Sequence, residues 1–267
     1  MKQWIVVLMW FAFGALATVP AHAQTAKVQP TMTELWDAIA RQHVRPGRIG
    51  DVSLNVVDYA AIAADPRWPT LLNLVAQACE PTEHAERLAF WINAYNIMAI
   101  KVVLGKYPVK SIKDVGGWFT QVWDIEAGVV GGKMRTLNEI EHEILRKMEE
   151  PRIHAAIVCA SVSCPPIRAE AFVVGRLDEQ LDDQMRVWLA NDKVGLSIEN
   201  DGAILRVSSI FKWFAEDFEK KDGSVRKFVE KYMTDDQRSA LRPTANIAYM
   251  SYDWSLNDAK RSPAATK

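Results

Sequence analysis

The stretch Pro151–Phe172, PRIHAAIVCASVSCPPIRAEAF, holds two of the three cysteines and one of the five histidines in the chain. Its apolar run from Ile153 to Ala160 is too short for a typical helix and predicts a buried strand. Pro165 and Pro166 donate no backbone N–H, and Pro165 holds Cys164 toward extended geometry, so a loop follows. Reactive groups on a rigid loop after a buried strand make a common kind of site; the same arrangement also makes an ordinary turn. On a strand, His154 and Cys159 face opposite ways. They would stand about 16 Å apart at a rise of about 3.3 Å per residue. A thiol–imidazole pair therefore needs a histidine from elsewhere, with His142 first in line.

With 49% hydrophobic and 24% charged residues over 267 positions, the chain has ordinary globular composition. A formal net charge of −1 gives no sign of a nucleic-acid surface or a polybasic membrane patch. Met1–Ala23 reads as a signal peptide: Lys2 supplies the positive start, Trp4 to Ala17 is uncharged and apolar, and Ala21-His22-Ala23 gives a small-x-small cleavage pattern. The run is short for a span, which needs roughly 20 apolar residues. The expectation is cleavage after Ala23, a periplasmic or secreted mature chain and no stable membrane span afterwards. An oxidising compartment favours disulfides. The three cysteines, Cys79, Cys159 and Cys164, leave at least one unpaired. Cys159–Cys164 is the natural local pair, and a free thiol among the two is the alternative; both remain open. Cys79 reads as a small buried hydrophobe at a helix end.

The remaining pattern predicts an α+β fold: a single domain with helices packed on a small, mostly antiparallel sheet. Residues 24–50 form a polar leader and an amphipathic helix from Thr33 to His43, stopped by Arg45-Pro-Gly-Arg48. Residues 51–257 form the main domain and 258–267 a polar tail, with the polar character starting at Asn257. Asp51–Tyr59 is ambiguous and read as extended. Helices are expected over Tyr59–Ala64, Trp68–Ala78, Glu83–Leu104, Leu177–Asn191, from Ser208 or Ser209 to Phe218, and over Val225–Met233. Hairpins are expected at Gly131-Gly132 and Asp201-Gly202, and Ala245–Asp253 reads as extended. Ile210, Phe211, Trp213 and Phe214 are assigned to the core.

Two helices carry the polar residues of interest. In Glu83–Leu104, Asn93 and Asn96 share a strip inside an apolar helix. A buried amide left without partners costs about 1–3 kcal/mol, so these two either clamp a neighbouring loop backbone or line a pocket. The clamp takes precedence, because most buried side-chain amides bond backbone. Thr136-Leu-Asn-Glu139 is a capping box heading a helix to about Met148, with Leu137, Ile140, Ile144 and Leu145 inward. Glu139, His142 and Arg146 form one stripe, read either as a solvated charge ladder or as a half-buried imidazole oriented by Glu139. Glu139-x-x-His142 is half of a carboxylate-bridged metal motif that needs a second copy, and none is found. No metal and no cofactor are called.

Six blocks in order resemble the family of domain of unknown function 547 (DUF547): Phe90-Trp-Ile-Asn-Ala-Tyr-Asn96, Leu137–Arg146, Pro151-Arg-Ile-His154, Cys159–Pro166, Ser209-Ile-Phe-Lys-Trp-Phe214 and Tyr252-Asp-Trp-Ser-Leu-Asn257. The resemblance extends from about Val57 to Asn257 and includes the cysteine pattern of bacterial, exported members. It implies functional weight at Asn93 and Asn96, at Glu141-His142, at His154 and at Ser163-Cys164-Pro165, without implying a reaction.

The expected function is a thiol-type hydrolase or transferase of the periplasm. Cys159 or Cys164 would be nucleophile, His142 or His154 base, and Asn93 orienter or oxyanion donor. Asn96, Glu141, Arg146, Ser163 and Arg168 would bind the substrate, a small molecule or peptide. The alternative is a non-catalytic binding or scaffold module of the cell envelope, in which Asn93, His142, His154 and Arg168 rigidify a core loop or line a ligand cleft and no nucleophile is needed.

Overall fold

A computed structural model of the chain describes Met1, residues 29–117 and residues 120–263. The expected signal peptide beyond Met1, with its expected cleavage after Ala23, lies outside those residues, as do Trp118 and Phe119. The chain begins with α1 (Met32–His43), capped by a Thr31/Glu34 capping box. A hairpin of β1 (Val44–Ile49) and β2 (Val52–Val57) follows, then α2 (Tyr59–Ala64), α3 (Arg67–Gln77) and the long α4 (His84–Leu104). A second hairpin, β3 (Glu126–Val130) and β4 (Lys133–Thr136), leads into a π-type helical segment over Glu139–Leu145. A single helical turn, α5 (Ile153–Ala156), precedes the cysteine loop and α6 (Leu177–Leu189). The C-terminal part adds β5 (Leu196–Glu199), β6 (Ile204–Val207), α7 (Ile210–Trp213), α8 (Ala215–Asp222), α9 (Val225–Glu230), α10 (Asp235–Ala240) and β7 (Asn246–Tyr249).

The α+β class holds, with the strands divided among three small sheets rather than joined in one. Two are the antiparallel hairpins β1–β2 and β3–β4; the third has the order β5–β6–β7, with β5–β6 antiparallel and β6–β7 parallel. Both predicted turns have the left-handed backbone that glycine favours, with φ 59° and 76° at Gly131 and Gly132 and 87° at Gly202.

The core is organised around α4. Every residue from Leu88 to Ile100 is buried, as expected of a helix apolar on all sides. It is long and apolar enough to cross a membrane, yet 83% of its most apolar window is buried inside the protein. α1 packs into this same core through Leu35, Trp36 and Ile39, so residues before 51 contribute to it. A second core joins α6 to the C-terminal helices and β5–β6 through Trp188, Phe211, Phe218 and Phe228.

Asn93 and Asn96 are the polar exceptions on the buried span of α4, and both are clamps. Asn93 Nδ2 donates to the Phe172 carbonyl at 2.8 Å, and its Oδ1 accepts the Phe172 N–H at 2.9 Å. Asn96 Nδ2 donates to the Ala156 carbonyl, and its Oδ1 accepts the Val158 N–H, both at 2.9 Å. One helix face therefore holds both ends of the segment from Ala156 to Phe172. Between the clamps this segment makes an isolated antiparallel bridge, Ser161 with Leu256, and is otherwise irregular, so its remaining buried backbone groups need other partners. Asn55 donates to the Ile167 carbonyl, Gln184 to that of Pro166 and Gln180 to that of Ala171. Val162 N–H donates to the Ser255 carbonyl.

Four expectations are corrected. Ile153–Ala160 is not a strand: Ile153–Ala156 is a helical turn and the rest is irregular, because the Asn96 clamp supplies the hydrogen bonds that a ladder would have supplied. Cys79 is exposed, since α3 ends at Gln77 before reaching it. Trp213 is 48% exposed and belongs to a cleft wall, not the core. The tail is anchored: Asn257, Asp258 and Ala259 are buried, Tyr59 Oη donates to Asn257 Oδ1 at 2.7 Å, and Val57 N–H donates to the Asn257 carbonyl.

Replacing Asn96 with alanine strands the Ala156 carbonyl and the Val158 N–H in the core. We expect a loss of about 3 kcal/mol in urea denaturation, from about 1–3 kcal/mol per buried unpartnered group, whereas Lys133→Ala on the exposed β3–β4 turn should stay within about 0.5 kcal/mol.

Candidate functional site

The fixed segment forms one wall of a cavity of about 620 Å³. Cys159, Cys164, Ile157 and His154 reach it from this segment, and Glu141 and His142 from the π-type segment. Trp213 and Phe214 come from the end of α7, Tyr252 and Trp254 from the chain after β7, and Trp123 and Lys113 from the loops before β3. The geometry thus unites five of the residues picked from sequence: Glu141, His142, His154, Cys159 and Cys164.

The π-type segment accounts for the neighbours Glu141 and His142. The capping box at its head is present, with Thr136 N–H donating to Glu139 Oε2 and Glu139 N–H to Thr136 Oγ1, both at 3.0 Å. Glu139 therefore caps the helix, while His142 takes Arg146 as its partner: Arg146 Nη1 donates to His142 Nδ1 at 3.0 Å. That acceptor role requires an unprotonated Nδ1, which leaves the proton on Nε2 of the neutral ring. Burial, then the neighbouring Arg146 cation, holds His142 below the ordinary histidine range.

Arg146 also forks onto Asp217 through Nε and Nη2, both at 2.7 Å, and Asp217 Oδ2 is 2.8 Å from His154 Nε2. Burial alone pushes Asp217 up, but the bonds from Arg146 and His154 more than offset it and hold the carboxylate well below its usual range. His154 is 2% exposed and stacks on Phe214 at 4.1 Å. Its burial keeps the ring below the usual histidine range despite Asp217, so at neutral pH the uncharged ring donates its Nε2–H. The chain His142–Arg146–Asp217–His154 leaves neither histidine as a free strong base.

Glu141 is different. It is 8% exposed and takes one hydrogen bond, from Tyr95 Oη at 3.2 Å. Burial raises its carboxyl to about 7, against the opposing pull of Tyr95 and Arg146. A carboxyl that exchanges its proton near neutrality inside a cleft has the property a general acid or base needs.

Cys159 and Cys164 are joined as a disulfide with Cα atoms 6.3 Å apart. Neither sulfur is a nucleophile in this state. The loop between them starts with Ala160 in the left-handed backbone region, φ 59°, a conformation that costs a non-glycine residue about 1 kcal/mol or more. Tyr252 Oη lies 3.2 Å from Cys159 Sγ and 3.3 Å from Cys164 Sγ and accepts from Ser161 Oγ at 3.2 Å.

Tyr252 joins the disulfide to a cluster of rings. Trp213 and Trp254 stack at 5.6 Å with 15° between planes; Tyr252 lies 4.8 Å from Trp213 and 4.5 Å from Trp254. Trp123 meets Trp254 edge-on at 5.4 Å, and Lys113 Nζ sits 4.0 Å over the Trp254 ring.

The other predicted residues stand elsewhere. Asn93 and Asn96 bond loop backbone through both ends of their amides, so both side chains are committed to holding the segment and neither lines the cavity. Ser163 Oγ accepts the Asp253 N–H at 2.8 Å. Arg168 pairs with Glu170 and Asp183 on a separate face. Arg146 acts through His142 and Asp217. The sequence does not predict the aromatic wall as a site: Trp213 and Phe214 read as core and Tyr252 as part of an extended stretch, although Ser209–Phe214 and Tyr252–Asn257 are both blocks of the family resemblance.

The Glu141 carboxyl sets a sign for the pH dependence of stability. From about pH 4.5, its ordinary value, to about 7 the unfolded chain releases this proton while the folded chain keeps it. Its contribution to stability therefore falls as pH rises through that window and levels off above it. We expect Glu141→Gln to remove that decline, gaining roughly 3 kcal/mol relative to wild type between pH 4 and pH 8, at about 1.4 kcal/mol per pH unit, in urea denaturation at both pH values.

Comparison with known proteins gives one family. Residues 79–189 match the model of the family described as protein of unknown function, DUF547. The match stops short of the Val57–Asn257 reach expected from the six blocks, and it leaves out Trp213, Tyr252 and Trp254. No curated protein and no solved structure matches the chain. Residues 79–189, which carry α4, the π-type segment and the whole cysteine loop, are the part of the chain that is similar to the DUF547 family.

Proposed function

We propose that this protein is a ligand-binding module of the bacterial periplasm whose cleft takes a small molecule or peptide presenting a flat or C–H-rich face. The observation that carries this is the composition of the cavity: stacked and edge-on rings, a disulfide joined to them through Tyr252 and a buried carboxyl held near neutrality. Pockets of several hundred Å³ lined by aromatics with a few convergent polar groups are the common form of ligand site. The apolar leader with Ala21-His22-Ala23 and the Cys159–Cys164 bond support export. The thiol hydrolase or transferase reading needs both sulfurs reduced, and the disulfide weighs against it. When protonated, Glu141 offers an O–H donor to the ligand, so binding is strongest below about pH 7.

The test is a titration of intrinsic tryptophan fluorescence with short peptides and amino sugars. The reading predicts saturable quenching by at least one of them. Trp213→Ala should weaken that binding about tenfold, the equivalent of one aromatic contact of about 1.4 kcal/mol, and Glu141→Gln should flatten its dependence on pH between 6 and 8. Binding that Trp213→Ala and Trp254→Ala both leave intact would move the ligand out of this cleft.

A second reading rests on Glu141 itself. A carboxyl held at about 7 beside His142 supports acid–base hydrolysis or transfer without a thiol. On that reading Glu141→Gln abolishes turnover of a bound ligand, and the Cys159→Ser/Cys164→Ser double variant retains it.

A further inference from the structure

The sulfurs of Cys159 and Cys164 have more polar neighbours than a structural staple requires. Cys159 N–H donates to Cys164 Sγ at 3.0 Å. Tyr252 Oη reaches both sulfurs, and Ser161 Oγ is 3.3 Å from Cys159 Sγ. Neutral disulfide sulfur is a weak acceptor, so donors gathered here stabilise the bond little; they would stabilise a thiolate strongly, because hydrogen bonds to an ionised acceptor are about twice as strong as neutral ones. Access is unequal. Cys164 is 3% exposed, while Cys159 is half-buried, and both line the cavity. The loop joining them is held by Asn96 at one end and by the chain around Asp253–Ser255 beyond it, so its position does not depend on the bond between the sulfurs.

We propose that Cys159–Cys164 is a thiol–disulfide exchange centre, opened by a dithiol of a peptide or protein that enters the aromatic cleft. This goes beyond ligand binding and does not require Glu141 chemistry. A thiolate of the incoming dithiol attacks the accessible Cys159 Sγ. A new S–S bond forms there, the Cys159–Cys164 bond breaks, and its electron pair leaves on Cys164 Sγ, which receives the Cys159 N–H and the Tyr252 O–H. The second thiolate of the same dithiol then attacks its own sulfur in the mixed disulfide and releases Cys159 as a thiolate. The dithiol is oxidised to a disulfide, two electrons reduce this pair, and the two protons of the dithiol end on Cys159 and Cys164. The order follows from burial: attack at the exposed sulfur with the better-stabilised sulfur leaving is the faster direction of exchange.

The test uses the mature protein carrying Cys79→Ser, which removes the exposed free thiol. It is equilibrated with reduced and oxidised glutathione over a wide range of ratios, trapped with N-ethylmaleimide and counted by intact mass, with circular dichroism followed in parallel. The proposal predicts that the pair passes from oxidised to reduced within the glutathione range while the fold persists. Tyr252→Phe should require about tenfold more reducing conditions, the effect of losing one hydrogen bond of about 1.4 kcal/mol to a thiolate. In a Cys164→Ser variant the remaining Cys159 thiol should alkylate rapidly in the folded state, and in a Cys159→Ser variant the Cys164 thiol slowly. A pair that stays oxidised throughout behaves as a structural disulfide and overturns the proposal. So does reduction that coincides with loss of the circular dichroism signal, or a Tyr252→Phe equilibrium identical to the parent's.

Discussion

Two asparagine side chains one turn apart on a buried helix hold the segment on which the site is built. Asn93 and Asn96 each satisfy one backbone carbonyl and one backbone N–H of that segment, at Phe172 and at Ala156/Val158. Water is excluded at both positions, where exposure is 0% and 3%, so neither amide nor loop has another partner to turn to. Irregular backbone belongs at the surface because its polar groups need partners. Here the partners come from within, and Asn55, Gln180 and Gln184 complete the set. The result is an irregular loop packed like a strand, with Cys159 and Cys164 presented to a cavity.

The walls of that cavity converge from distant parts of the chain, and their electrostatics are largely closed off. Asp217 pairs with the charge of Arg146 and accepts the Nε2–H hydrogen bond of His154, and Arg146 ties up His142. Both histidines are held in their neutral forms, and Glu141 is kept near its midpoint at neutral pH. A cleft with so little fixed charge favours recognition by stacking and a few neutral hydrogen bonds over recognition by ion pairing. Lys113 over the Trp254 ring and Asp124 on the cavity lining are the exceptions.

Much of this was legible in the sequence wherever a local pattern had a local cause. α4 and its clamps followed from an apolar run with two amides that had to be bonded; the hairpins followed from glycines at positive φ; Thr136-x-x-Glu139 marked its helix start. Ile153–Ala160 misread because a short apolar run has no period to separate strand from turn, and the decisive partner, Asn96, lies 60 residues away in the Ala156 bond. Cys79 and Trp213 misread because an apolar residue type does not reveal which side of an element faces outward. The aromatic wall was invisible for the same reason: Trp123, Trp213, Tyr252 and Trp254 meet only through the tertiary fold. The site residues that were found came as neighbours, Glu141-His142 and Cys159 with Cys164, whose chemistry is unusual for a core.

The central claim is that the cysteine loop is as firmly fixed as the helix that holds it. Native-state hydrogen exchange of the Val158 and Phe172 amides tests this most directly. Both donate to buried asparagine oxygens, so the account predicts protection equal to that of the α4 amides, with exchange only through global unfolding. Exchange at Val158 or Phe172 a thousandfold faster than in α4, about 4 kcal/mol less protection at about 1.4 kcal/mol per tenfold, would contradict it, and the loop would then open independently of its clamps.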